Sequence, residues 1–263
     1  MHRMIRYLKM DFYRLFRSPQ FYISIASVFL IYMVSSLQSV GSLSVFDLFY
    51  FIKFFSLIIV LFACSSFAYA NSLLEDWEHG FYQSAVLRGS LKAYVYAKSA
   101  CCFCAAVLSI IMGTMCFVFV QSLRIPLADP EEAYGMMRIV RKQEAEVFGC
   151  FLQRQWMPVY FLLSSMVIGF LAGILALAAM WLSLVAKNRM FAMCMPIAAY
   201  YILVNCIKDD MLSINGMYFF SGNLLSDPLL SFGCTVFVTA CSVSIFMVLI
   251  YRRMRRMVRG VKR

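Results

Sequence analysis

The chain has 263 residues, 63% of them hydrophobic and 14% charged, and a mean hydropathy of +0.78. An ordinary soluble domain carries about 25% charged residues, so the composition excludes a soluble globular protein and predicts an integral-membrane one. The formal net charge of +11 would suit nucleic acid, but the basic residues hug the ends of apolar runs, where anionic lipid headgroups attract them; membrane lipids are the expected partner and nucleic acid is not. No hydrophilic block is long enough to build a second core, so residues 1–263 read as a single transmembrane domain.

In chain order, residues 2–18 come first and repeat at helical spacing. Arg3, Arg6, Arg14 and Arg17 fall within an arc of about 80° at 3.6 residues per turn, while Ile5, Leu8, Phe12 and Leu15 gather opposite. That phasing predicts an amphipathic helix lying in the membrane interface with a cationic edge. Pro19 then marks a break. A crossing helix needs about 17 to 25 mostly apolar residues, and six uncharged runs qualify, at about 21–37, 54–74, 99–123, 159–185, 190–206 and 229–251. The first is not read as a signal peptide, because a charged leader of about 20 residues precedes it and no small-x-small cleavage site follows.

Six spans put both termini on one side. With the termini inside, 17 basic residues lie inside and 7 outside, leaving +13 against −2 once the acids are counted. The excess of Lys and Arg on cytoplasmic loops therefore predicts cytoplasmic N and C termini. The tail from Arg252 onward reads as an orientation signal and lipid anchor.

The six runs contain no ionisable residue, and Lys53 falls at the outer edge of the second. Intramembrane charge normally marks proton relays, ion pathways or catalysis, so those readings are lowered. His2 and His79, the two histidines, lie outside the spans, which leaves no base for an intramembrane serine protease. Most of the ten cysteines sit within apolar runs and behave as small hydrophobes, and Cys101, Cys102 and Cys104 have no second ligand pair at zinc spacing; no metal site is expected. No Gly-rich phosphate loop ending in Lys-Ser or Lys-Thr occurs, so the chain is not expected to bind ATP, to hold a cofactor or to be an enzyme. Gly169 and Gly173 form a small-xxx-small pair that suits either packing within the chain or contact with a second chain.

The tightest acidic cluster, Glu75, Asp76 and Glu78, falls in a segment, 75–90, placed on the cytoplasmic side. An anionic leaflet repels such a cluster, so its reading is either a solvated loop or a surface aimed at something positive and soluble. Trp77, Phe81 and Tyr82 alternate with the acids, as in a short helix with aromatics towards the interface and acids towards the cytosol. Gly80 would end that helix, and Arg88 and Gly89 would open the turn into the third span.

Glu75 with Gly80, then Arg88 with Gly89 and Ser90, then Tyr94 with Lys98, together with the basic N-terminal helix, resemble the permease subunit of type 2 ABC transporters. The resemblance covers the whole chain in layout, while its motif is confined to about 25 residues. It implies six spans, cytoplasmic termini, an N-terminal interfacial helix and a coupling helix built from Glu75, Asp76, Glu78 and Gly80, followed by Arg88. It also implies docking on a separate cytoplasmic P-loop ATPase that binds the ATP, a second permease chain as homo- or heterodimer partner, and a multi-pass place in the bacterial plasma membrane. Transport of an apolar or amphipathic substrate, by alternating access and outward in direction, follows as an expectation from that family and from the uncharged spans. A non-transporting membrane scaffold or immunity protein is the alternative, and a channel is disfavoured for want of a polar filter. The outer segment 124–158 is longer than compact members of the family carry; Asp129, Pro130 and Glu132 there read as the start of a surface helix.

Overall fold

A computed structural model describes residues 2–37, 44–52, 58–83, 90–127, 148, 151, 156–186, 188–206, 218 and 228–261. It is about 91% helical and has no strand among the described residues. In chain order the helices are α1 (His2–Arg17), α2 (Pro19–Leu37), α3 (Val45–Ile52), α4 (Ile58–Phe67), α5 (Ser72–Glu78), α6 (Leu91–Ser122), α7 (Met157–Ala186), α8 (Arg189–Cys206) and α9 (Pro228–Val261).

Among the described residues, four helices are long and apolar enough to cross a membrane: α2, α6, α7 and the Leu230–Gly260 part of α9. The architecture is therefore all-α and of the multi-pass membrane type. The expected second span is shorter as a helix, whereas α8 covers the whole of the expected fifth, 190–206. Residues 54–57 lie outside the described residues, and α4 ends at Phe67 because the chain turns over 68–71. The Ser65 and Ser66 hydroxyls donate to the Phe62 carbonyl at 3.0 and 2.8 Å just before this turn, a local bond that competes with the helical ladder. In α8 the apolar stretch is Met190–Leu203, and Pro196 inside it removes one backbone donor.

Helix α7 is central. It packs against α4, α5, α6, α8 and α9, and 67% of its apolar window is buried, against 17% for α9. Gly169 and Gly173 make the approach to α6 possible: a Cβ on Gly169 would stand 3.2 Å from the Val107 backbone, and one on Gly173 would stand 2.4 Å from the Phe103 ring. The open choice between packing inside the chain and contact with a second chain resolves, for these two glycines, to packing inside the chain. Gly113 does the same for α2, where a Cβ would meet Val28 at 2.4 Å. The outer flanks remain apolar, with Phe237, Phe119, Ile202 and Leu30 all more than half exposed, as lipid-facing surface requires.

Side-chain contacts fix the direction of each helix. Ser24, early in α2, donates to the Cys64 carbonyl late in α4 at 2.8 Å. Tyr7 of α1 meets Tyr94 of α6 edge-on at 5.9 Å, and Tyr96 meets Tyr251 of α9 at 6.1 Å. Arg253 donates to the Leu184 carbonyl at 3.3 Å, a cation set against the C-terminal end of α7. Thus α1, α5, the start of α6, the end of α7 and the end of α9 share one end of the bundle, and the first and last described residues are both there.

Helices α3 and α9 also differ from expectation. Helix α3 falls in a stretch read as a connection, yet Val45, Phe46 and Phe49 have no exposed surface. Its first N–H groups donate to Pro126 and Leu127 carbonyls at 3.0 and 3.3 Å, and Ser44 caps it, donating to Asp47 Oδ2 at 2.8 Å while accepting the Asp47 N–H at 3.2 Å. Helix α9 runs on through the basic tail to Val261. Ile250 and Met254 face inward with no exposed surface, while Arg252, Arg255, Arg256 and Arg259 form the exposed stripe opposite.

Candidate functional site

The acidic segment folds as the two-turn helix α5, and its period divides the acids. Leu73, Leu74 and Asp76 turn inward at 0, 3 and 2% exposure. Glu75 is half-buried and Glu78 exposed, on the opposite side. Gly80 closes the helix with φ +72°, its N–H donating to the Trp77 carbonyl at 3.2 Å. No atom lies within 4 Å of where its Cβ would be, so glycine serves the left-handed backbone here and not a close approach. Trp77 stacks on Tyr82 at 4.2 Å, leaving Phe81 exposed.

Asp76 is a correction to the expected cytosol-facing cluster. It accepts hydrogen bonds from Lys98 Nζ, from the Tyr94 hydroxyl and from Arg14 at 3.2 and 3.5 Å. Lys98 has no exposed surface. Helix α6 begins at Leu91, eight residues before the apolar run expected at 99–123, so this lysine lies inside a long apolar helix. Ser90 caps that helix by accepting the Ala93 N–H at 3.2 Å. Burial by itself would raise the Asp76 carboxyl, but the Lys98 charge, the Lys98 and Tyr94 hydrogen bonds and the Arg14 charge outweigh it and hold the group below the ordinary carboxylate value.

Arg14 was expected on the cationic membrane edge of α1 and instead reaches across to α5, its side chain 46% exposed. Of the other three arginines on that edge, Arg6 and Arg17 are exposed, Arg17 donating to the Tyr13 hydroxyl at 2.8 Å, and the Arg3 side chain lies outside the described residues. The face of α1 turned to the bundle carries Asp11 and Leu15, both fully enclosed. Asp11 Oδ1 accepts from the Tyr69 hydroxyl at 3.2 Å, and burial pushes this carboxyl up.

The result is a cluster of the buried Asp11, Tyr69, Asp76, Tyr94 and Lys98 with the partly exposed Arg14, which ties α1, the turn before α5, α5 and α6 together. Of the predicted docking residues, Glu75, Glu78 and Gly80 lie at the surface of the same unit and Arg88 falls outside the described residues, as does the 129–132 helix start. Asp11, Tyr69 and the role of Lys98 were missed. The signal for them was helical spacing: Asp11 with Arg14, Leu73 with Asp76, and Tyr94 with Lys98 each share a face at three or four residues apart. Chemically the cluster offers charge and hydrogen bonds that hold helices in register. No family model, curated protein or solved structure matches the chain.

Proposed function

We propose that this chain is the membrane permease subunit of an ATP-driven transporter of the type 2 ABC kind, with six spans and both termini cytoplasmic. It would pair with a second permease chain and dock a separate P-loop ATPase through α5. The observation that carries this reading is α5 itself: a two-turn helix closed by a left-handed glycine, at the bundle end shared by α1 and the end of α9, with Glu78 exposed and Glu75 beside it. On this reading α4 and α8 are the two shorter spans, and the Lys and Arg bias sets that bundle end in the cytoplasm.

Closure of two ATPase subunits on ATP would press on α5 as a lever. Asp76 would pass the load to α6 through Lys98 and Tyr94 and to α1 through Arg14, tilting the long helices between inward-open and outward-open arrangements. ATP binding and hydrolysis belong to the partner, and the chain itself needs no cofactor. The runs 21–37, 99–122, 159–185 and 230–251 of the four long helices are uncharged, and Lys98 just before the second is paired with Asp76, which favours an apolar or amphipathic cargo moved outward.

The test is purification of the tagged protein in mild detergent beside a Glu75→Lys, Glu78→Lys variant, with co-purifying proteins identified and ATP hydrolysis assayed. Asp76 is left intact because its loss would damage the fold. The expected result is a near-stoichiometric P-loop ATPase with the wild type and its loss from the variant. Absence of any ATPase under several gentle conditions would sink the transporter and leave the scaffold or immunity reading.

A further inference from the structure

Both cations of the cluster reach the same carboxylate. Asp76 takes hydrogen bonds from Lys98, Tyr94 and Arg14. Asp11 takes one, from the neutral Tyr69 hydroxyl on Oδ1, and its Oδ2 has no donor among the described residues. Yet Asp11 has no exposed surface, so solvent does not reach the bare oxygen from outside. An ionised carboxylate buried with one oxygen unpaired is strongly disfavoured, whereas a neutral carboxylic acid escapes most of that penalty.

We propose that Asp11 is a proton-binding site: in the folded protein it is held as the neutral acid while Asp76 is the carboxylate, and its proton controls how tightly α1 and α5 are tied to α6. With Asp11 neutral, Lys98 and Arg14 are both given to Asp76. Loss of the proton sets a second carboxylate beside the same two cations, which must then be divided between Asp11 and Asp76. The groups facing Asp11 are Lys98, Tyr94 and Cys101 from α6, Tyr69 from the turn before α5, Asp76 from α5 and Arg14 from its own helix. Burial raises Asp11 most and the Asp76 charge adds to it, while Lys98, Tyr69 and Arg14 offset part. The two carboxyls are thus pushed in opposite directions, the pattern of a pair with distinct proton-holding roles. This inference stands whether or not an ATPase docks on α5.

The experiment is infrared difference spectroscopy on the full chain in detergent, stepping pH upward from the ordinary carboxylate range, for the wild type, Asp11→Asn and Asp76→Asn. The wild type should lose a protonated-carboxyl carbonyl band, identified by its shift in heavy water, at a pH above that range. Asp11→Asn should lack the band, and Asp76→Asn should move it to lower pH because both cations then fall to Asp11. Absence of the band in the wild type, or its survival in Asp11→Asn, which would assign the proton to another carboxyl, overturns the proposal. Thermal unfolding gives a second readout that needs no Asp76 variant. The folded state binds the Asp11 proton more tightly than the unfolded chain, so this stabilisation is fully present below the ordinary value of 3.8 and is lost as pH rises through the folded value. Asparagine has the shape of the neutral acid, so Asp11→Asn should match the wild type at the acid end and lack that alkaline-side decline; equal slopes in both proteins also overturn the proposal.

Discussion

Lys98 and Asp76 are enclosed by the bundle at 0 and 2% exposure, so both have given up water. Removing two charges from water costs several kcal/mol per ion, and their attraction offsets it only with well-placed partners. Here the partners are present: Tyr94 and Arg14 complete the Asp76 carboxylate. Breaking the pair from one side should therefore be costly. Lys98→Met is expected to lower stability by about 3 to 5 kcal/mol, because Asp76 remains buried with the partly exposed Arg14 as its remaining cation. Lys98→Met combined with Asp76→Asn should lose clearly less than the sum of the two single changes, read by thermal unfolding in detergent; strict additivity would show that the pair is not coupled. The residue types for this cluster are visible in the sequence, where Tyr94 and Lys98 stand four residues apart. Their burial is not visible there, because a lysine one position before an apolar run reads as a snorkelling end charge.

Helix by helix, the sequence foretold most where a period was long and uninterrupted. The phasing of α1 was legible, and so were the long apolar helices α2, α6 and α7. What the phasing of α1 lacked was the position of the bundle: Asp11 and Leu15 face inward, which draws Arg14 out of the cationic arc and onto α5. Helix α3 was illegible because Asp47 interrupts its apolar run, and the Ser44 cap that reconciles this acid with burial needs the folded chain end to be seen. Helix α9 was cut short at Tyr251 because hydropathy falls there, whereas the stripe of Ile250, Met254, Met257 and Val258 carries the helix on against its neighbours. The contact between α6 and α7 gives a sharp test at this scale. Gly173→Leu would drive a side chain into Phe103 and is expected to cost about 1 to 3 kcal/mol or more in thermal stability. Gly260→Leu, with nothing within 4 Å of its Cβ, should change little.

At the scale of the whole molecule, contacts gather α1 and the end of α9 at one end of the bundle. Tags placed before α1 and after α9 should therefore be digested together, or protected together, in sealed vesicles of one orientation; opposite protection of the two tags would refute this arrangement. The sequence by itself determined the solvent. A chain that is 63% hydrophobic and 14% charged, with its charges at the ends of long apolar runs, is a membrane protein whatever its packing, because the cost of burying backbone and charge in lipid depends on composition and run length. It also offered, beside a solvated loop, the short helix closed by Gly80 that the structure has after α4. Only the tertiary structure decided which face of that helix is inside. Three acids within four residues look like one patch in sequence, but a helix turns 100° per residue, and where Leu73 and Leu74 are drawn into the core Asp76 must go with them. An acid drawn inside needs a cation, and the one supplied, Lys98, lies 22 residues away in sequence, a pairing that no local period encodes.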